Sequence, residues 1–166
     1  MPLLPLDLQD FLPYKLSRLV NDVSAGLLST YSPSFALNVS QWRMLAAVAQ
    51  LAPTTVTELT QYSGMDKVTV SRSVREMVER KLMARVLDDN DRRRASITLT
   101  AEGRATYQRI APLAMEYEKN LLDALEDSEK VALNQLVDRL LDQAAMLRQS
   151  HTRMFPRRDG AVKRRA

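Results

Sequence analysis

The sequence predicts a mostly α-helical protein with one small β-hairpin, and three observations carry that expectation. Apolar residues recur at three- and four-residue spacing towards both ends of the chain, the period of an amphipathic helix. In the middle, two segments opened by capping residues flank a tight turn, "SGMD" (63–66). Two short alternating runs follow, "LMARVL" (82–87) and "ASITL" (95–99), split by "DDNDRRR" (88–94).

Residues 1–10 are rich in proline and leucine and fit no regular period. A helix is expected from Pro13, since proline suits a first turn where its missing N–H is not needed. Leu12, Leu16, Leu19, Val23 and Leu27 give it an apolar stripe, and "YSPS" (31–34) is expected to break it. Ser40 is expected to cap a second helix, with Trp42, Leu45, Ala46 and Ala49 on one face and an end near Pro53. "TVTE", Thr55 to Glu58, has the hydroxyl and carboxylate of a capping box and opens a short third helix through Leu59 and Tyr62. Gly64 can take positive φ in the turn, and Asp66 can cap a fourth helix reaching about Lys81, with Val70, Val74, Met77 and Val78 inward. After the hairpin, Thr100 caps a helix to about Ala124, in which Pro112 should produce a kink. Asp127 or Ser128 caps the last helix, striped by Val131, Leu133, Leu136, Val137, Leu140 and Leu141; the tail from Arg148 lacks a stripe and is expected to fray.

Composition narrows the function. The 166 residues suit one domain with long terminal elements, at 45% apolar and 27% charged. Cysteine is absent and the single histidine, His151, lies near the C-terminus, so no disulfide framework, thiolate zinc site or histidine metal cluster is expected. No run approaches the ~20 apolar residues of a membrane span, and the N-terminus lacks the pattern of a signal peptide; a cytoplasmic protein with no membrane contact is the expectation. The four glycines form no phosphate loop, and nothing in the chain pairs a nucleophile with a base, so no catalytic residues, metal or cofactor are expected and the protein is not read as an enzyme. Positive charge is concentrated: residues 63–104 hold ten basic and seven acidic side chains, and residues 148–166 hold seven and one. A basic tail is common on proteins of many kinds, but a basic middle segment is also an electrostatic footprint for nucleic acid.

Residues 55–81 have the pattern of two helices joined by a tight turn, in which the second helix enters a major groove. At about 100° per residue, with Val70 inward, Val68, Arg72, Arg75 and Glu79 face outward and Lys67, Thr69 and Ser71 flank them. A solvated face would also carry Lys67 and Arg72, but it would seldom begin with an exposed valine. In a groove, Val68 can meet a thymine methyl, Arg72 can bond guanine, and Thr69 and Ser71 can reach phosphates or base edges. Arg92, Arg93 and Arg94 at a hairpin tip repel one another unless a polyanion is present, and arginine suits a narrow minor groove. Asp91 can brace that tip.

These segments resemble the MarR-type winged helix-turn-helix regulators, the group named for multiple antibiotic resistance. The resemblance lies in "SQWRMLAAVAQL" (40–51), in 55–103 with its "DRR" ahead of "ITLTAEG", in "LLDALEDSEKVALNQLVDRL" (121–140), and in "FLPYKLSRLVNDVS" (11–24). It implies an N-terminal dimerisation helix (1–35), a winged helix-turn-helix DNA-binding lobe (36–103), C-terminal dimerisation helices (104–147) and a basic tail (148–166) outside the match. It further implies a homodimer reading a pseudo-palindromic operator in double-stranded DNA. Lys67, Val68, Thr69, Ser71, Arg72 and Arg75 fall on the recognition helix, Arg93 on the minor-groove arginine and Asp91 on its partner acid; Arg92 and Arg94 are extra charge. Such regulators, often repressors, release DNA on binding a small aromatic acid, phenol or thioester. Tyr14, Arg18, Trp42 and Arg43 fall on segments that line the ligand cleft in similar proteins, although Trp42 also suits a core and the arginines a surface. The alternative is a winged helix without ligand response, binding nucleic acid nonspecifically or mediating protein contacts.

Overall fold

The computed structural model describes residues 6–87 and 95–154. In chain order the elements are α1 (Leu12–Phe35), α2 (Val39–Leu51), α3 (Val56–Ser63), α4 (Lys67–Glu79), β1 (Met83–Leu87), β2 (Ala95–Leu99), α5 (Ala101–Leu122) and α6 (Asp127–Met154). The expected fold class, mostly helical with a hairpin after the fourth helix, is the one observed. Two units are distinguished, residues 1–119 and residues 120–166.

In the first unit, one buried cluster joins the helices to the hairpin. Met44, Leu45 and Val48 of α2, Leu59 of α3, and Val70, Val74 and Met77 of α4 pack with Met83, Ile97 and Leu99 of the strands and Ile110 of α5. The strands pair antiparallel from Met83↔Leu99 to Leu87↔Ala95. Thr54, ahead of α3, bridges the free edge of β2: its N–H donates to the Ile97 carbonyl at 3.1 Å and its carbonyl accepts the Ile97 N–H at 2.6 Å. A single residue gives no alternating pattern, so this third pairing leaves no trace in the sequence.

Helix boundaries differ from the expected ones at four places. Asn38, not Ser40, caps α2, because Asn38 has Gln41 three residues on: its Oδ1 accepts the Gln41 N–H at 2.9 Å while its own N–H donates to Gln41 Oε1 at 3.0 Å. α1 does not break at "YSPS" but carries Pro33 to Phe35. Its last turn is held from outside, by Tyr31 buried in the core and by Arg80, whose Nη1 and Nη2 donate to the carbonyls of Ala36 and Phe35 at 2.8 Å each. Arg109 also sits 4.6 Å over the Phe35 ring. Ahead of α6 the capping position is Glu126, one residue before Asp127; its N–H donates to Glu129 Oε2 at 2.8 Å. α6 then continues beyond Arg148 to Met154.

Thr100 opens α5 as expected, its hydroxyl donating to the Lys81 carbonyl at 2.6 Å and accepting the Gly103 N–H at 2.9 Å. That contact presses the helix start onto the end of α4, and a Cβ on Gly103 would collide with the Leu82 carbonyl. Pro112 lies inside the continuous α5, which ends at Leu122.

Among the described residues, exposed apolar side chains are most numerous on α1 and α6. On α1 these are Leu12, Leu16, Leu19 and Val20; on α6 they include Val131, Leu136, Val137, Leu140 and Leu141. No described helix is long and apolar enough to cross a membrane.

Candidate nucleic-acid interface

The helix-turn-helix is built by three local devices. Thr55 accepts the Glu58 N–H at 3.2 Å and Glu58 accepts the Thr55 N–H at 2.8 Å, completing the capping box at the start of α3. Gly64 ends α3 at φ +65°, the left-handed region that glycine occupies without a Cβ clash. Asp66 then caps α4, its Oδ1 accepting the Thr69 N–H at 2.9 Å and its Oδ2 the Thr69 hydroxyl at 2.6 Å. These Thr69 bonds hold the Asp66 carboxyl below the usual carboxylate range. Thr69 is half-buried and its hydroxyl proton is committed to the cap, which leaves only its lone pairs facing outward.

α4 presents the outward face that its periodicity predicts. Val70, Ser73, Val74 and Met77 are buried, while Lys67, Val68, Arg72, Arg75 and Glu79 are exposed and Ser71 is intermediate. Val68 is 77% exposed, in the first turn of the helix. Two of the three cations on this face have acidic neighbours one turn on: Arg72 Nε donates to Glu76 Oε1 at 2.9 Å, and Arg75 Nε lies 3.9 Å from Glu79 Oε1. Glu76 also accepts from Gln41 Nε2 of α2 at 2.9 Å. The Arg72 and Gln41 hydrogen bonds hold the Glu76 carboxyl below its usual range. Neither Gln41 nor Glu76 is among the expected site residues. Gln41 had a signal in the Asn38 capping box, but its bond to Glu76 spans 35 positions.

The hairpin that follows α4 closes its described register at Leu87↔Ala95, so residues 88–94 connect its strands. Asp91, Arg92, Arg93 and Arg94, the expected wing tip, lie outside the described residues.

The four residues expected around an effector are not gathered together. Trp42 is largely buried, stacked on Tyr107 at 6.0 Å and tilted against Tyr31 at 5.7 Å. Trp42 and Arg43 line a cavity of about 270 Å³ shared with Ala46, Gln50, Tyr62 and Ser63. Arg43 Nη2 also donates to the Ser24 hydroxyl at 3.3 Å. Tyr14 and Arg18 lie on the exposed first half of α1 and do not line this cavity. Tyr31, not anticipated, is buried with no hydrogen-bond partner for its hydroxyl among the described residues. Burial pushes its phenol up, against a smaller opposing pull from the Arg43 charge.

Residues 37–94, spanning α2 to the hairpin, match the MarR family. This lobe belongs to the MarR family. Relatives of the MarR-type lobe are helix-turn-helix transcriptional regulators. YwoH of Bacillus subtilis, one of them, is 28% identical over 109 residues, covering 66% of this chain and 79% of its own. The crystal structure of a MarR/EmrR family transcriptional regulator from Acinetobacter sp. ADP1 superposes with a TM-score of 0.79 at 25% identity, over 85% of this chain and 99% of that one. BpsR of Bordetella bronchiseptica, whose DNA binding is regulated by 6-hydroxynicotinic acid, gives 0.75 at 25% identity, over 83% and 98%.

Proposed function

We propose that the protein is a sequence-specific DNA-binding repressor that acts as a homodimer on a pseudo-palindromic operator and is released by a small aromatic or phenolic acid or its thioester. The observation that carries this reading is the face of α4, where an exposed Val68 precedes Arg72 beside half-buried Ser71 and exposed Lys67. An apolar side chain left in water at a helix start gains by contacting a thymine methyl, and the arginine beside it matches the acceptor pair of guanine. Lys67, Ser71 and Arg75 are assigned to phosphates and flanking base edges, Thr69 to accepting from a base-edge amino group, Arg93 to the minor groove with Asp91 as its brace, and Arg92 and Arg94 to phosphate attraction. The exposed apolar residues of α1 and α6 support dimerisation, because a second copy would remove them from water.

The effector class is supported by the environment of Trp42 and by one relative. Arg43 beside a cavity can pair a carboxylate, and Trp42 offers an aromatic wall. The ligand of BpsR, a hydroxylated aromatic acid, has that chemistry. Footprinting on the DNA upstream of the protein's own gene, with and without a panel of aromatic acids and their thioesters, tests both halves. A protected palindrome that one acid abolishes is expected; protection that no member of the panel changes refutes the release mechanism, and no protection at all refutes the operator.

A further inference from the structure

Arg72 stands on an exposed helix face, where a free arginine samples many rotamers and loses that entropy when it docks on a base. In this chain it is already held. Its Nε donates to Glu76 Oε1, and the other carboxylate oxygen accepts from Gln41 Nε2, both at 2.9 Å. Gln41 is buried and fixed at its far end, because the Asn38 N–H can only donate and its partner is Gln41 Oε1 at 3.0 Å. A chain of hydrogen bonds therefore runs from the capping box of α2 to the outward face of α4. With Nε occupied, the terminal Nη groups of Arg72 keep the planar fork that matches two acceptors side by side.

We propose that Gln41 and Glu76 are positioning residues for base recognition, holding Arg72 so that its terminal fork meets the two major-groove acceptors of a guanine. This rests on α4 being the recognition helix. The neighbouring pair one turn away is an internal contrast. Arg75 and Glu79 are 3.9 Å apart and both two-thirds exposed, as an ordinary surface pair would be. A surface pair needs no buried amide from another helix, yet Glu76 has one. The Arg72 and Gln41 bonds also hold the Glu76 carboxyl below its usual range, favouring the ionised form that grips the guanidinium. Replacing Glu76 by glutamine breaks the chain, since one amide cannot accept from both Arg72 and Gln41 without setting two NH₂ groups against each other.

The experiment selects duplexes from a random-sequence pool with the full chain and with its Arg72→Ala, Glu76→Gln, Gln41→Met and Glu79→Gln variants. Melting curves confirm that each is folded. Wild type is expected to select a guanine in each half-site, and Arg72→Ala to lose it. Glu76→Gln and Gln41→Met are expected to lose about tenfold of the enrichment at that position while preferences elsewhere persist, and Glu79→Gln to keep all of them. Deazaguanine at that position, lacking the major-groove ring nitrogen, should weaken wild type by about tenfold and Glu76→Gln by less than about twofold. A Glu76→Gln protein that keeps both the guanine preference and the deazaguanine penalty overturns the positioning role, even if Gln41→Met fails to fold. Retention of the guanine by Arg72→Ala does the same. A wild type that selects no sequence takes the recognition-helix reading down with it.

Discussion

Val68 leaves most of its side chain in water, an arrangement that folding alone does not reward. Together with Arg72 it makes α4 a surface with an apolar and a forked cationic contact close together. Both were legible from helical periodicity, because a buried Val70 fixes the rotation of the whole helix. What periodicity does not contain is the state of the arginine: Glu76 is visible one turn away, but Gln41 comes from another helix. Arg72→Ala is expected to weaken binding to the operator by about 1–3 kcal/mol and to relax its sequence preference; a uniform loss across all duplexes in a titration would demote Arg72 to a phosphate contact. Arg93→Ala is expected to weaken operator binding by a similar amount, about 1–3 kcal/mol, with the dimer intact by sedimentation. Acid should act through Asp66 and Glu76. Both carboxyls are held below their ordinary values in the folded chain, so their stabilisation is complete above the usual carboxylate range, near about pH 4, and is lost as pH falls through the lower folded values. Thermal melts of Asp66→Asn should therefore lose part of the acid sensitivity seen in wild type.

At the scale of the element, the capping pattern explains which boundaries could be read. Thr55 with Glu58, and Gly64 followed by Asp66, are complete local signals, and the structure keeps all of them. Asn38 with Gln41 is an equally complete box, whereas Ser40 has Arg43 three residues on, which cannot accept from a capping N–H. Pro33 was misleading because its local penalty is outweighed by contacts made far away in sequence, through Tyr31 and Arg80. The Thr54 bridge to β2 was hidden for the same reason. Asn38→Ala should destabilise the protein by about 1 kcal/mol in denaturant unfolding. Gly103→Ala should cost about 2 kcal/mol, since a Cβ there meets the Leu82 backbone rather than a side chain that can turn away. Wild-type stability in that variant would show that the start of α5 can shift away from Leu82.

For the whole molecule, the exposed apolar residues of α1 and of α6 are the features that a single chain leaves unexplained. Leu140→Glu is expected to convert a dimer to a monomer in sedimentation equilibrium, because burying an unpaired carboxylate between apolar faces is strongly unfavourable. The apolar stripes were legible as stripes; what covers them was not, since periodicity reports a face and not its partner. A dimer also accounts for a palindromic operator, each copy offering one α4 to one half-site. The central claim is that this face reads sequence in duplex DNA. Its most direct test is the affinity of the full chain for a footprinted palindrome and for random duplexes of equal length at one salt concentration. The palindrome should bind at least about a thousandfold more tightly, and both affinities should fall steeply with added salt. Equal affinity for every duplex would contradict the claim.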